Sequence, residues 1–183
     1  MFLHGDKMLT REECNQLVKS VKKFTKAKLF YKGNKGETKS VFMPNQRNSL
    51  QKQLTLHKGT LLYNKINCLI EKNGYSLNVN SVKFNILKYK KGHFIYKHKH
   101  DRGGNIFLTF VIQLNDSSDY QGGDFVYWID GKEYRMDREI GYGLIIGPEV
   151  EHEVEIVTQG ERHSFILFLT YPELKSLSKP SII

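Results

Sequence analysis

Residues 147–169 read Gly147-Pro148-Glu149-Val150-Glu151-His152-Glu153-Val154-Glu155-Ile156-Val157-Thr158-Gln159-Gly160-Glu161-Arg162-His163-Ser164-Phe165-Ile166-Leu167-Phe168-Leu169. The apolar and polar residues that follow His152 predict a strand over 153–157, Gln159-Gly160 predicts a turn, and the apolar run predicts a second strand over 163–171. Two side chains here do not fit a purely structural sheet. His152 stands at a strand edge after Gly147-Pro148. Arg162 begins an otherwise apolar strand, where a guanidinium is costly to bury unless it meets an anion. Ser164 lies two residues on, hence on the same face, as a second donor. A planar fork of N–H donors in such a place suits bidentate recognition of a carboxylate. Pairing with a local glutamate, Glu151 or Glu161, is the alternative.

Outward from this stretch the chain continues as short strands. Candidates lie at 79–90, 94–100, 107–114, 123–129 and 142–146, with turn signals at Asn115-Asp116-Ser117-Ser118, Gln121-Gly122-Gly123 and Asp130-Gly131. Before residue 79 the period changes. Thr10 with Glu13 fits a capping box, and Cys14, Leu17, Val18 and Val21 form one apolar stripe, which predicts a helix from Thr10 to about Lys26. Leu61, Leu62, Ile66, Leu69 and Ile70 share a face of a second helix over 59–73, stopped by Gly74. The segment 29–53, with Gly33, Asn34, Gly36 and Pro44, reads as loop with a short strand. Helices followed by many short strands predict an α+β chain forming a single domain over 1–183. Its N-terminal part, about 1–78, is expected to be helical and its body, about 79–171, a sandwich or jelly roll.

The second chemical feature sits on the strand over 94–100. Side chains at i and i+2 share a face, so His98 and His100 point together while Lys99 points away. With His152 arriving from another strand, three imidazoles could grip one ion; they suit iron, zinc, copper or nickel alike. The large β-formers Phe125, Tyr127 and Trp128 either wall this pocket or fill the core.

At 183 residues, 39% hydrophobic and 26% charged, the composition is that of a globular domain, and no apolar run reaches the roughly 20 residues that span a bilayer. The opening Met1-Phe2-Leu3-His4-Gly5-Asp6-Lys7 lacks the apolar core of a secretion signal, so a cytoplasmic or nuclear setting is expected. Cys14 and Cys68 are too few for a disulfide framework or zinc cluster and are expected to be buried, inert thiols. The net charge of +9 is uneven: residues 1–100 hold 21 Lys+Arg against 5 Asp+Glu, residues 101–183 hold 7 against 14. A basic half can attract nucleic acid, an acidic protein or a small anion, or simply solvate a surface.

From about Lys88 to Leu169 the chain resembles the iron(II)- and 2-oxoglutarate-dependent dioxygenases, in the branch that contains the prolyl 4-hydroxylases. Tyr89-Lys90-Lys91-Gly92-His93-Phe94 followed by His98 is similar to that branch's Tyr-x-x-Gly lead into the first metal histidine. Thr109-Phe110-Val111-Ile112-Gln113-Leu114-Asn115 is similar to its next strand, and Gly122-Gly123-Asp124-Phe125 to its Gly-Gly-acid turn. Gly141, Gly143, His152, Val154, Val157, Gly160, Arg162 and Ser164 match the distal histidine, the following strand and the co-substrate residues. The resemblance implies a double-stranded β-helix (jelly-roll) core with N-terminal helices packed on it. It implies Fe(II) on His98, His100 and His152, and 2-oxoglutarate held by Arg162 with help from Ser164 and Tyr89. It further implies ascorbate as an accessory and hydroxylation of a C–H bond on a protein or peptide side chain such as proline.

One position departs from the family pattern. The second ligand there is an aspartate two residues after the first histidine; here that place is His100, and Asp101 comes one residue late. Three arrangements are open: all three histidines bind metal, a bulge re-aims Asp101 inward, or the site is degenerate. The last would make the chain a non-catalytic metal- or ligand-binding module. The basic half raises a nucleic-acid-directed oxygenase as a further alternative; against it, nucleic-acid demethylases of the superfamily carry a second arginine where this chain has Phe168.

Overall fold

The computed structural model describes residues 3–32, 38–100 and 105–177. In chain order its first half holds β1 (Leu3–Lys7), α1 (Arg11–Lys19), β2 (Thr25–Lys26), β3 (Leu29–Lys32), β4 (Thr38–Val41), β5 (Arg47–Asn48), β6 (Leu50–His57), α2 (Leu61–Glu71) and β7 (Tyr75–Leu77). Then follow β8 (Ser81–Lys90), β9 (Phe94–His98), β10 (Ile106–Gln113), β11 (Tyr120–Gly122), β12 (Phe125–Ile129) and β13 (Lys132–Arg135). The last strands are β14 (Tyr142–Ile146), β15 (Glu151–Val154), β16 (Val157–Thr170) and β17 (Leu174–Ser176).

Thr10 caps α1 reciprocally: its hydroxyl accepts from the Glu13 N–H at 3.2 Å, and the Glu13 carboxylate accepts from the Thr10 N–H at 2.8 Å. The helix stops at Lys19, well short of Lys26, because the apolar stripe ends at Val21 and Thr25–Lys26 pair instead with Leu50–Gln51 as an edge strand. In α2, Tyr63, Ile66 and Ile70 are buried, whereas Leu61 is 64% exposed despite its spacing. Cys14 is buried as expected, but Cys68 is exposed.

Two antiparallel sheets form the body. The larger runs β1-β14-β10-β16-β8-β6-β2, with β11 added to β16; the smaller runs β13-β12-β15-β9-β5. Period-two alternation sorts the larger sheet's residues between two cores. Leu108, Phe110 and Ile112 of β10, with Phe165, Leu167 and Leu169 of β16, pack under the helices with Cys14, Ile66 and Ile70. Val111 of β10 and Leu87 and Tyr89 of β8 point the other way, meeting Ile95, Phe125, Val150 and Val154 of the smaller-sheet side. That second core is the interior of the jelly roll, and the candidate site residues lie on strands that border it, except His100, which follows the end of β9. The architecture is the α+β double-stranded β-helix with helices packed on one face.

The part read as helical, about 1–78, supplies strands to both sheets, among them β1 beside β14 and β6 beside β8. Within 29–53, read as loop with a short strand, lie β3, β4, β5 and the start of β6; the smaller sheet ends on β5, and β6 is flanked by β8 and, over Leu50–Gln51 alone, by β2. The polar, alternating residues of β5 and β6 carry too little apolar signal to announce a strand; the neighbours β8 and β9 supply the pairing.

Candidate metal centre

His98 and His100 do converge, but not by simple alternation. Opposite β15, His152 pairs with His98 and Val154 with Ile95, so two steps along β15 match three along β9. One extra residue at Tyr96–Lys97 makes a bulge, and this turns both Ile95 and His98 inward. His100 lies past the end of the strand, held by its own N–H donating to the Pro148 carbonyl at 2.9 Å. The bulge lies upstream of His98; Asp101, which a bulge after His98 would re-aim inward, lies outside the described residues.

The three imidazoles offer ligand atoms within 4.8 Å of one another. Three nitrogens sharing one ion at about 2.1 Å would stand roughly 3.0–3.6 Å apart, so the rings would close by up to about 1–2 Å on an ion. Ring centroids are 5.2 Å apart for His98–His100, 4.3 Å for His98–His152 and 4.8 Å for His100–His152. Each Nδ1 is already engaged: His98 with the Tyr96 carbonyl at 2.8 Å, His152 with the Val150 carbonyl at 2.9 Å, His100 with Thr109 Oγ1 at 3.1 Å. These are outer partners of the kind that orient metal-bound imidazoles, and with Nδ1 so engaged Nε2 is the atom each ring would offer an ion. Phe125 stacks on His152 at 5.4 Å, and Phe168 meets His100 edge-on at 5.1 Å.

Burial holds the His98 pKa below the ordinary histidine value, and the nearby Arg47 charge adds to this. His152 is driven well below it, first by burial and then by the neighbouring His98 and His100. Both effects favour neutral rings, the form that binds metal.

Arg162 is 1% exposed, and among the described residues neither of its terminal guanidinium nitrogens has a hydrogen-bond partner. The glutamates that could have neutralised it are used elsewhere: Glu161 pairs with Lys88 at 2.8 Å and Glu151 with Lys97 at 3.4 Å. Its guanidinium carbon lies 5.5 Å from the ring centre of Tyr89, its cross-strand partner. Ser164 is buried on the same face. The Gly122-Gly123 turn makes room here: Gly123 has φ +68°, and a Cβ on it would stand 2.7 Å from Val157 Cγ2 and 3.4 Å from Arg162 Cδ. A buried cation with two free donor nitrogens is a receptor for an anion. The donor set, three imidazoles beside a guanidinium whose terminal nitrogens have no partner among the described residues, therefore fits a metal ion with an anionic companion.

The remaining aromatic candidates divide. Phe125 faces the interior, and Tyr127 stands opposite His152. Trp128 is one residue out of phase, on the outer face, where Lys97 Nζ sits 3.8 Å above its ring; it does not wall the pocket. Thr109 and Arg47 were not singled out by sequence. Thr109 looked like one more β-former in an apolar strand, and only the alternation of β10 shows it facing inward. Arg47 pairs with the inward Ile95, is half-buried, and donates from Nε to Ser49 Oγ at 2.9 Å.

No family model and no curated protein matches the sequence. Solved structures do. A prolyl-4-hydroxylase from Pseudomonas putida superposes with a TM-score of 0.63 at 16% identity, covering 92% of both chains. A 2OG-Fe(II) oxygenase family oxidoreductase from Burkholderia pseudomallei gives 0.63 at 15%, covering 92% of this chain and 84% of that one. A Trichoplax adhaerens prolyl hydroxylase, solved with a hypoxia inducible factor peptide fragment, gives 0.62 at 14%, covering 93% and 84%. With two sheets in this order and three histidines and an arginine facing their shared interior, the chain has the double-stranded β-helix fold of the prolyl hydroxylases and 2OG-Fe(II) oxygenases.

Proposed function

We propose that the chain is an Fe(II)- and 2-oxoglutarate-dependent oxygenase that hydroxylates a C–H bond on a protein or peptide side chain, proline being the first candidate. The observation that carries this reading is the buried Arg162, whose terminal nitrogens find no partner among the described residues, in the same interior as the three-histidine cluster. His98, His100 and His152 would hold the iron through Nε2. Bound there with 2-oxoglutarate and dioxygen, iron supplies the oxidant that replaces a C–H hydrogen by hydroxyl, with succinate and carbon dioxide as co-products.

The protein's part is binding and orientation. Arg162 would clamp the distal carboxylate of 2-oxoglutarate in a bidentate geometry, with the Ser164 hydroxyl as a further donor and Tyr89 packed beside the guanidinium. Phe125 and Phe168 flank the imidazoles and exclude water from two sides. With three imidazole ligands and, among the described residues, no carboxylate beside them, the centre would keep the full charge of its ion, and this favours anionic co-ligands. The peptide substrate is supported by the fold shared with prolyl hydroxylases.

The test is aerobic incubation of Fe(II)-loaded protein with 2-oxoglutarate, ascorbate and proline-containing peptides, with succinate quantified. Succinate formation that requires iron and disappears in Arg162→Ala is expected. No succinate with or without peptide, together with unchanged 2-oxoglutarate binding by Arg162→Ala, would refute the assignment. An anaerobic metal-to-2-oxoglutarate absorption band without turnover would instead identify a binding module.

A further inference from the structure

The three imidazoles are not oriented by equivalent partners. The Nδ1 atoms of His98 and His152 contact main-chain carbonyls, of Tyr96 at 2.8 Å and Val150 at 2.9 Å. A carbonyl only accepts, so each of these neutral rings must carry its proton on Nδ1 and present a bare Nε2. Both are set for metal before any metal arrives. His100 differs: its Nδ1 meets the Thr109 hydroxyl at 3.1 Å, a group that can donate or accept.

Where the Thr109 proton goes decides the tautomer. Thr109 is fully buried on the inward face of β10, flanked in register by Ile146 and Phe168, and among the described residues its hydroxyl has His100 as its one side-chain hydrogen-bond partner. If His100 carried its proton on Nδ1, the hydroxyl proton would be buried without an acceptor. Leaving a buried donor unpaired is the costlier arrangement. We infer that Thr109 makes His100 the conditional ligand of the centre: in the metal-free protein its hydroxyl donates to His100 Nδ1 and the ring proton sits on Nε2, and metal binding shifts that proton to Nδ1 and reverses the hydrogen bond. The proton count is unchanged; one ring proton relocates and one hydroxyl turns. This inference rests on the reading of the three histidines as one metal site. It makes Thr109 a positioning residue, at the ligand where the resembling family has aspartate.

Long-range 1H–15N correlations of the imidazoles test it directly. In the metal-free protein His98 and His152 should show the Nδ1–H tautomer and His100 the Nε2–H tautomer; with Zn(II) bound all three should show Nδ1–H. Thr109→Val keeps the shape but removes donor and acceptor, so the metal-free His100 ring should lose its preference for the Nε2–H tautomer, while Thr109→Ser should keep it. A merely structural role for Thr109 would change thermal stability without moving the His100 ring shifts. Metal-free His100 already in the Nδ1–H tautomer, or a His100 tautomer left unchanged by Thr109→Val, overturns the Thr109 assignment alone. Failure of the wild-type protein to take up Co(II) overturns the metal reading beneath it.

Discussion

Arg162→Met separates ligand binding from folding, because the two should move in opposite directions. Arg162 is 1% exposed and its terminal nitrogens are unpartnered among the described residues, so the ligand-free protein bears a buried cation without compensation. Replacing it by a flexible apolar chain should leave the ligand-free protein equally or more stable. A bidentate carboxylate adds two charge-assisted hydrogen bonds of about 1.5–3 kcal/mol each, and losing both should weaken 2-oxoglutarate about 10²–10⁴-fold. In Zn(II)-loaded wild type, 2-oxoglutarate at a hundred times its Kd should add about 2.7 kcal/mol, a rise in Tm of roughly 5–11 °C for a domain of this size. At the same ligand concentration the variant should shift by less than about 2 °C. Thermal melts with and without ligand, with calorimetric titration as a cross-check, read both effects. A variant that keeps the ligand shift, or that loses several degrees without ligand, would refute the reasoning, since Arg162 would then be serving the fold.

Three further outcomes follow from single contacts. Burial, then the charge of Lys88, pushes the His163 pKa from 6.5 down to about 4. The folded ring therefore binds its proton more weakly than the unfolded one, and stability present above about pH 6.5 is lost as pH falls toward 4, roughly 3 kcal/mol over the span. Urea midpoints at pH 7 and 4.5 should diverge in wild type and draw together in His163→Phe. Thr10→Ala removes a hydroxyl that accepts from the Glu13 N–H at 3.2 Å and should cost about 1 kcal/mol, read by the same midpoints at pH 7. His152→Ala deletes the most buried of the three imidazoles, and Co(II) titration should show loss of tight binding while the fold, followed by far-UV circular dichroism, survives.

What sequence could reveal here depended on whether a residue's cost was local. Arg162 in an apolar strand is expensive wherever the strand packs, so its need for an anion was legible before its surroundings were known, and the structure leaves its terminal nitrogens without a partner among the described residues. The capping box at Thr10 was legible for the same reason, being complete within four residues. Residues whose role depends on register were not. Thr109 and Arg47 acquire meaning only from the strands beside them, and Trp128 loses its expected place because inward and outward alternate by a single residue. The histidine pair is the instructive case. Two-residue spacing would bring His98 and His100 together on any regular strand, but a regular β9 with Ile95 in the core would have turned His98 outward. The residue inserted at Tyr96–Lys97 restores the facing, and the chain leaves the strand before His100, whose backbone is then fixed by Pro148 and whose ring is fixed by Thr109. The convergence of the three imidazoles thus rests on a bulge, a strand end and a hydroxyl. That is why the position of His100 could be read from the sequence and its mode of orientation could not.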